Sequence, residues 1–184
     1  MADTETYVVK IVGTKPLLMN SPSNITWSGD KPKLRRGEVL DPKTDAEMKL
    51  YKDDKGNIVI PSVNIKAMIR DAGRNYKISG RNSTYASVIR AGIDIKPYPY
   101  VPLVHNGWEI DIRPVVVASG GRILRARPRF DNWSLEFEII NYDPTIIHED
   151  ILQQILIDAG KYYGLGDFRP EFGTFRVEKF EKKK

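Results

Sequence analysis

Two runs of helical periodicity, each bracketed by strand-like runs, constrain this chain more than any other feature. Ile65, Met68, Ile69, Ala72 and Tyr76 recur at the spacing of one helix face, after Ser62, a residue type that accepts from the free N–H groups opening a helix. Ile151, Leu152, Ile155, Leu156 and Ala159 repeat the pattern inside His148–Tyr163, with Glu149 and Asp150 at the positive end of the helix. Thr6–Val12 is rich in β-branched residues and reads as the first strand, and Ile58–Ile60 is a short strand stopped by Pro61. In Trp133–Tyr142, Trp133, Leu135, Phe137 and Ile139 alternate with Ser134, Glu136 and Glu138, the period of a strand with one buried side. The last strand is Gly173–Phe180.

Trp108–Val117 and Arg122–Phe130 are two further strand candidates, joined at 118–121 by a hairpin signal. The resulting order is strand, helix, strand–strand, helix, strand. It predicts an α+β fold of the ferredoxin-like or RNA-recognition-motif-like kind: an antiparallel sheet with two helices on one face and the other face free. The signature aromatic motif of the ordinary RNA-recognition domain is absent. The 184 residues fit one domain, 1–184, with insertions at about 14–57 and 78–107. The first insertion is rich in Pro, Ser and Gly, with a short helix Lys43–Tyr51 introduced by Asp41-Pro42; the second carries a helical candidate at Tyr85–Ala91 and then three prolines.

Charge is distributed unevenly. Residues 62–129 hold 12 basic and 4 acidic side chains, net +8, whereas 130–184 carry net −4, within an overall +5. A localised basic surface of this kind points to a polyanion. Its candidate components are Lys31, Lys33, Arg35 and Arg36 in the first insertion; Lys66, Arg70, Arg74 and Lys77, which form one stripe along the first helix; and Arg125, Arg127 and Arg129, which alternate along one strand so that three guanidiniums share a face. A strand face of three arginines without carboxylates between them is expected to lie in solvent and to suit phosphates. Trp27, Tyr85, Tyr98, Tyr100 and Trp108 are candidates for stacking on bases. Gly160, Gly164, Gly166 and Gly173 cluster at a helix-to-strand junction, where they either close a turn or let a phosphodiester backbone come near.

Three segments resemble the RAMP superfamily of CRISPR-associated proteins, especially the backbone subunits of effector complexes: GTKPLLMNSPS at Gly13–Ser23, VIPSVNIKAMIRDAGR at Val59–Arg74, and GLGDFRPEFGTFRV at Gly164–Val177. The family's small, flexible helix start is altered here to Ser62-Val63-Asn64. The resemblance implies binding to the backbone of single-stranded nucleic acid, RNA or DNA with RNA favoured, and assembly as repeating subunits, with itself or within an effector complex. It places Asn64, Lys66 and Arg70 at an RNA-facing helix start and Gly164, Gly166 and Gly173 in a glycine loop. Two alternatives accompany this reading. One is a metal-dependent endoribonuclease of the same fold, for which Asp30 is the candidate catalytic residue. The other is a phage or mobile-element assembly or inhibitor protein that mimics such a subunit.

Catalysis otherwise finds little to stand on. The two histidines, His105 and His148, sit in a turn and at a helix boundary, and no phosphate-loop, HExxH or GxSxG motif occurs. No cofactor and no metal is expected. With no cysteine and no long apolar run, the expectation is a cytoplasmic chain with no membrane partner.

Overall fold

The computed structural model describes residues 4–22, 41–116 and 120–184. Its main sheet is antiparallel. Strand β1 (Glu5–Gly13) lies between β9 (Phe175–Lys182) and β8 (Trp133–Asn141). The far edge of β8 is shared by two shorter strands: β4 (Ile93–Lys96) pairs along Glu138–Asn141 and β5 (Tyr100–His105) along Trp133–Leu135, with β3 (Val59–Pro61) beyond β5. Helix α2 (Ser62–Ala72) follows β3, and α4 (Glu149–Asp158) follows β8. The plan is therefore the ferredoxin-like one, β1–α2–β4/β5–β8–α4–β9, with the strand from the chain start in the middle.

The core follows from the alternation. Tyr7, Val9 and Ile11 of β1 and Leu135, Phe137 and Ile139 of β8 face the helices and are buried with Ile65, Met68, Ile69 and Ala72 of α2 and Leu152, Ile155 and Leu156 of α4. At the end of α2, Tyr76 is half-buried beyond the last helical turn, and its hydroxyl donates to Asp158 Oδ2 of α4 at 2.5 Å. Ser62 is the first helical residue rather than the cap: Pro61 takes the cap position, Ser62 is buried, and its N–H donates to Pro99 O (2.9 Å).

The segment expected as an insertion at 78–107 supplies α3 (Tyr85–Gly92) and the strands β4 and β5, which are part of the main sheet. Its prolines disguise these strands in the sequence. Pro97 and Pro99 sit in the gap between β4 and β5, where the ladder along β8 is interrupted and no N–H is needed. The expected hairpin does form, as β6 (Glu109–Val116) and β7 (Arg122–Phe130), with part of its turn outside the described residues. Its sheet is separate, however, and is completed by β2 (Leu17–Leu18). Helix α1 (Pro42–Glu47), opened by the Asp41 carboxylate accepting from Thr44 N–H, ends before the expected Tyr51. Just past it, the fully buried Lys49 ammonium donates to Asp45 Oδ2 (2.7 Å) and Ala126 O (2.6 Å), while Asp45 accepts the Ala126 N–H (3.0 Å), so this pair clamps β7. Burial pushes the Lys49 ammonium below its ordinary pKa, against the pull of Asp45.

The sheet face opposite the helices is ion-paired. Lys10 bridges Glu178 (2.8 Å) and Glu136 (3.8 Å), and Lys183 meets Glu138 (2.6 Å). Glu136 and Glu138, on the side of β8 away from the core, supply two of the ladder's acids, with Glu178 of β9 the third. On this face β1 and β8 offer Val8, Lys10, Ser134, Glu136 and Glu138, with no ring on which a base could stack.

Candidate nucleic-acid interface

The three sequence segments singled out above meet at one place. After β1, Pro16 O accepts from Gly173 N–H (2.8 Å) and Leu18 O accepts from Asp167 N–H (2.8 Å), so residues 16–18 are stitched to the glycine loop. The loop is also closed on itself, through Leu165 N–H to Gly173 O (2.8 Å). Gly173 requires its residue type twice over: φ is +75°, and a Cβ would lie 1.7 Å from Leu165 O. Gly166 (φ +83°) similarly faces Leu18 O, at 2.4 Å from a Cβ. What these glycines let approach is therefore the protein's own backbone.

The junction leaves a groove of about 220 Å³, walled by Met19 and Asn20 after β1, Tyr51 and Ile60, Asn64 of α2, and Leu165, Gly166 and Asp167 of the loop. Asn64 sits in the first turn of a helix whose N-terminus has no side-chain cap, although its first N–H, that of Ser62, is taken by Pro99 O. Across Tyr51 a second, shallower depression of about 400 Å³ continues, lined by Pro22, Val63, Tyr98 and Tyr100. Tyr98, between Pro97 and Pro99, is 74% exposed.

The predicted cations distribute less simply. Lys31, Lys33, Arg35 and Arg36, with Asp30 and Trp27, lie outside the described residues. On α2, Lys66 is two positions from Asn64 and so on the opposite side of the helix; it pairs with Asp94 of β4 (2.8 Å). That hydrogen bond, ahead of the one from the Tyr142 hydroxyl, holds the Asp94 carboxyl below its ordinary pKa. Arg70 and Arg74 share Asp71 (2.8 and 3.2 Å). Lys77 is exposed and makes no ion pair among the described residues.

The arginine ridge is not the solvent-facing row expected. Arg127 is buried, 6% exposed, with Nε 2.6 Å from Asp167 Oδ2 of the glycine loop and its strand position opposite Asp111. Arg129 is paired with Glu109 (2.7 Å) and Asp131 (2.8 Å). Arg125 alone of the three is half-exposed without an ion pair among the described residues. The alternation was right, but the burying partner comes from a loop far along the chain. The hairpin pairing itself carried a signal, because it sets Asp111 and Glu109 across from Arg127 and Arg129. A further tie the sequence did not suggest is Arg113 of β6, whose guanidinium stands over the Phe172 ring at 4.6 Å and so pins the hairpin to the loop.

His105 ends β5, where its Nδ1 accepts from Gly107 N–H (3.0 Å), and His148 takes the cap position of α4 without a side-chain bond there. No group of three or more His, Asp or Glu placed to hold a metal occurs among the described residues. No helix among them is long and apolar enough to cross a membrane.

No protein-family model and no curated protein matches this sequence. Among solved structures, the chain is similar to one in a cryo-EM structure of the Type III-B Cmr-beta bound to cognate target RNA, at a TM-score of 0.53 and 16% identity, covering 98% of this chain and 61% of that one. The chain thus spans about three-fifths of the length of that neighbour. At such low identity the likeness speaks to the fold, and it agrees with the ferredoxin-like plan derived above from strand order.

Proposed function

We propose that this chain binds single-stranded nucleic acid, RNA in preference to DNA, along the groove between residues 19–20, the start of α2 and the glycine loop, as one subunit of a multi-subunit effector assembly. The observation that carries the reading is the convergence of three segments distant in sequence on one polar groove beside an uncapped helix N-terminus. Helix N–H groups donate to phosphate oxygens without reading sequence. The adjoining Tyr98 and Tyr100 surface offers rings to unstacked bases. The ion-paired sheet face, without such rings on β1 and β8, is a poor alternative. The fold shared with a chain of an RNA-bound complex supports RNA and supports the assembly.

The test is a fluorescence-anisotropy titration of labelled oligouridine and oligothymidine at several salt concentrations. Each phosphate neutralised on a single strand contributes about −0.7 to the log–log salt slope, so a slope of about −2 or steeper is expected. Asn64→Asp puts a second carboxylate next to Asp167 in the groove and should weaken binding about tenfold at low salt. A flat salt response, or full affinity in Asn64→Asp, would refute the reading.

A further inference from the structure

Beyond the nucleic-acid groove, the edge of the main sheet carries a second surface. Among the described residues β9 pairs only with β1, so its outer edge has no partner strand. The two halves of that edge differ. Past the register shift opposite Lys10 and Ile11, β9 carries Glu178, Lys179, Glu181 and Lys182, the dense mixed charge that blunts an exposed edge. The first half, Phe175–Val177, carries only Arg176 and borders a groove of about 630 Å³ between the strand and the end of α4. The helical wall of this groove holds Ile157, 40% exposed, and Tyr162, 55% exposed, two large apolar side chains left in water. Lys15, Lys161 and Arg176 stand at its rim with one lining acid, Glu171, and Arg176 also pairs with Glu178 of the second half of β9 (3.2 Å).

We infer that this groove receives an extended, acidic–apolar segment of a partner protein, added as a strand to the first half of β9. Strand addition uses the unpaired backbone of an edge and gains selectivity from alternate side chains. Here the side chains pointing inward would be apolar, against Ile157 and Tyr162, and those pointing outward would be carboxylates, meeting Lys15, Lys161 and Arg176. Charge complementarity selects the occupant: a basic segment would meet Lys15, Lys161 and Arg176, with Glu171 the one acid lining the groove and Glu178 already engaged by Arg176. The apolar helical wall favours a peptide over a polynucleotide. The surface does not involve Asn64 or the glycine-loop groove, so it stands or falls apart from the function proposed above.

The experiment titrates the protein into a fluorescein-labelled synthetic peptide that alternates valine or isoleucine with aspartate or glutamate. A second peptide, with lysine at the acidic positions, serves as comparison. Saturable binding of the acidic peptide is expected, with amide NMR shifts at Phe175–Val177. Binding should fall at least about tenfold in Lys161→Glu with Arg176→Glu, and by a similar factor in Ile157→Ser with Tyr162→Ala. All four positions are exposed, and Lys161→Gln with Arg176→Gln provides a milder charge test should the reversal disturb folding. Oligouridine affinity should be the same in every variant. No saturable binding up to about 1 mM, equal binding of the lysine peptide, or unchanged affinity in the variants would overturn the inference. A matching loss of oligouridine affinity would also overturn it, by assigning the surface to nucleic acid.

Discussion

Replacing Gly173 by alanine tests whether the glycine loop is a closed structural joint. The backbone angle alone, φ +75°, costs an L-residue about 1–2 kcal/mol. The added methyl would sit 1.7 Å from Leu165 O, far inside van der Waals contact, and what it meets is main chain, which cannot swing away as a side-chain tip can. Relief requires the loop to part from its neighbours and puts two hydrogen bonds at risk, Leu165 N–H to Gly173 O and Gly173 N–H to Pro16 O, each 2.8 Å. At roughly 0.5–1.5 kcal/mol per bond, the total becomes about 2–5 kcal/mol. Gly80 provides the control. Its φ is +73°, nearly the same, but a Cβ there meets nothing within 4 Å, so Gly80→Ala reports the backbone angle alone. Urea unfolding of both variants should show Gly173→Ala less stable than Gly80→Ala by at least about 1–3 kcal/mol, or several degrees in Tm for a chain of this size. Equal losses in the two variants would refute the close approach and, with it, the claim that these glycines serve the protein's own packing.

Three further outcomes are expected. Arg127→Ala removes a buried guanidinium from Asp167, whose side chain is 31% exposed and can partly hydrate, so urea unfolding should show a loss of about 2–3 kcal/mol, against less than about 1 kcal/mol for Arg125→Ala. Arg125→Glu should keep the native circular dichroism spectrum while reducing oligouridine affinity; unchanged affinity would remove the hairpin from the interface. The Tyr76 phenol is pushed up to about 12 from an ordinary 10, first by burial and then by the Asp158 carboxylate it donates to. The folded state therefore holds this proton more tightly than the unfolded chain, and the resulting stability is complete below pH 10 and lost as pH climbs toward 12. The stability gap between the native protein and Tyr76→Phe, about 1 kcal/mol at pH 8, should close across that window in denaturant titrations.

Period-based features were legible from sequence, and features set by meetings between distant segments were not. The faces of β1, β8, α2 and α4 followed directly from where Tyr7, Leu135, Ile65 and Leu152 recur, because burial selects side chains at the period of each element. The split strand β4/β5 was hidden by Pro97 and Pro99, whose meaning depends on the interruption in the ladder that accommodates them. Of the candidate residues, Asn64 and Gly166 of the glycine loop line one groove. The cationic track was overestimated, because Asp94 and Asp167 reach Lys66 and Arg127 from positions that strand or helix spacing does not reveal, while Asp71, whose helical spacing was visible, engages both Arg70 and Arg74. Tyr51 and Asn20 were not singled out: Asn20 lies in the segment at Gly13–Ser23 and Tyr51 at the end of an expected helix, but neither stands in a chemical pattern until the fold brings them beside Asn64.

The ladder of Lys10, Glu136, Glu178, Glu138 and Lys183 has a consequence for how a polyanion first meets this protein. Opposed charges a few ångströms apart cancel at a distance, so that side presents almost no field beyond the Debye length. Within the basic middle third, Arg127 and Arg129 are likewise answered by Asp167 and Asp131 of the acidic last third, whereas Lys77 and Arg125 make no ion pair among the described residues. For a nucleic acid bound as proposed, such unpaired cations rather than the ladder would set the long-range attraction. Ionic strength would then govern the frequency of productive collisions more than the lifetime of the complex once formed.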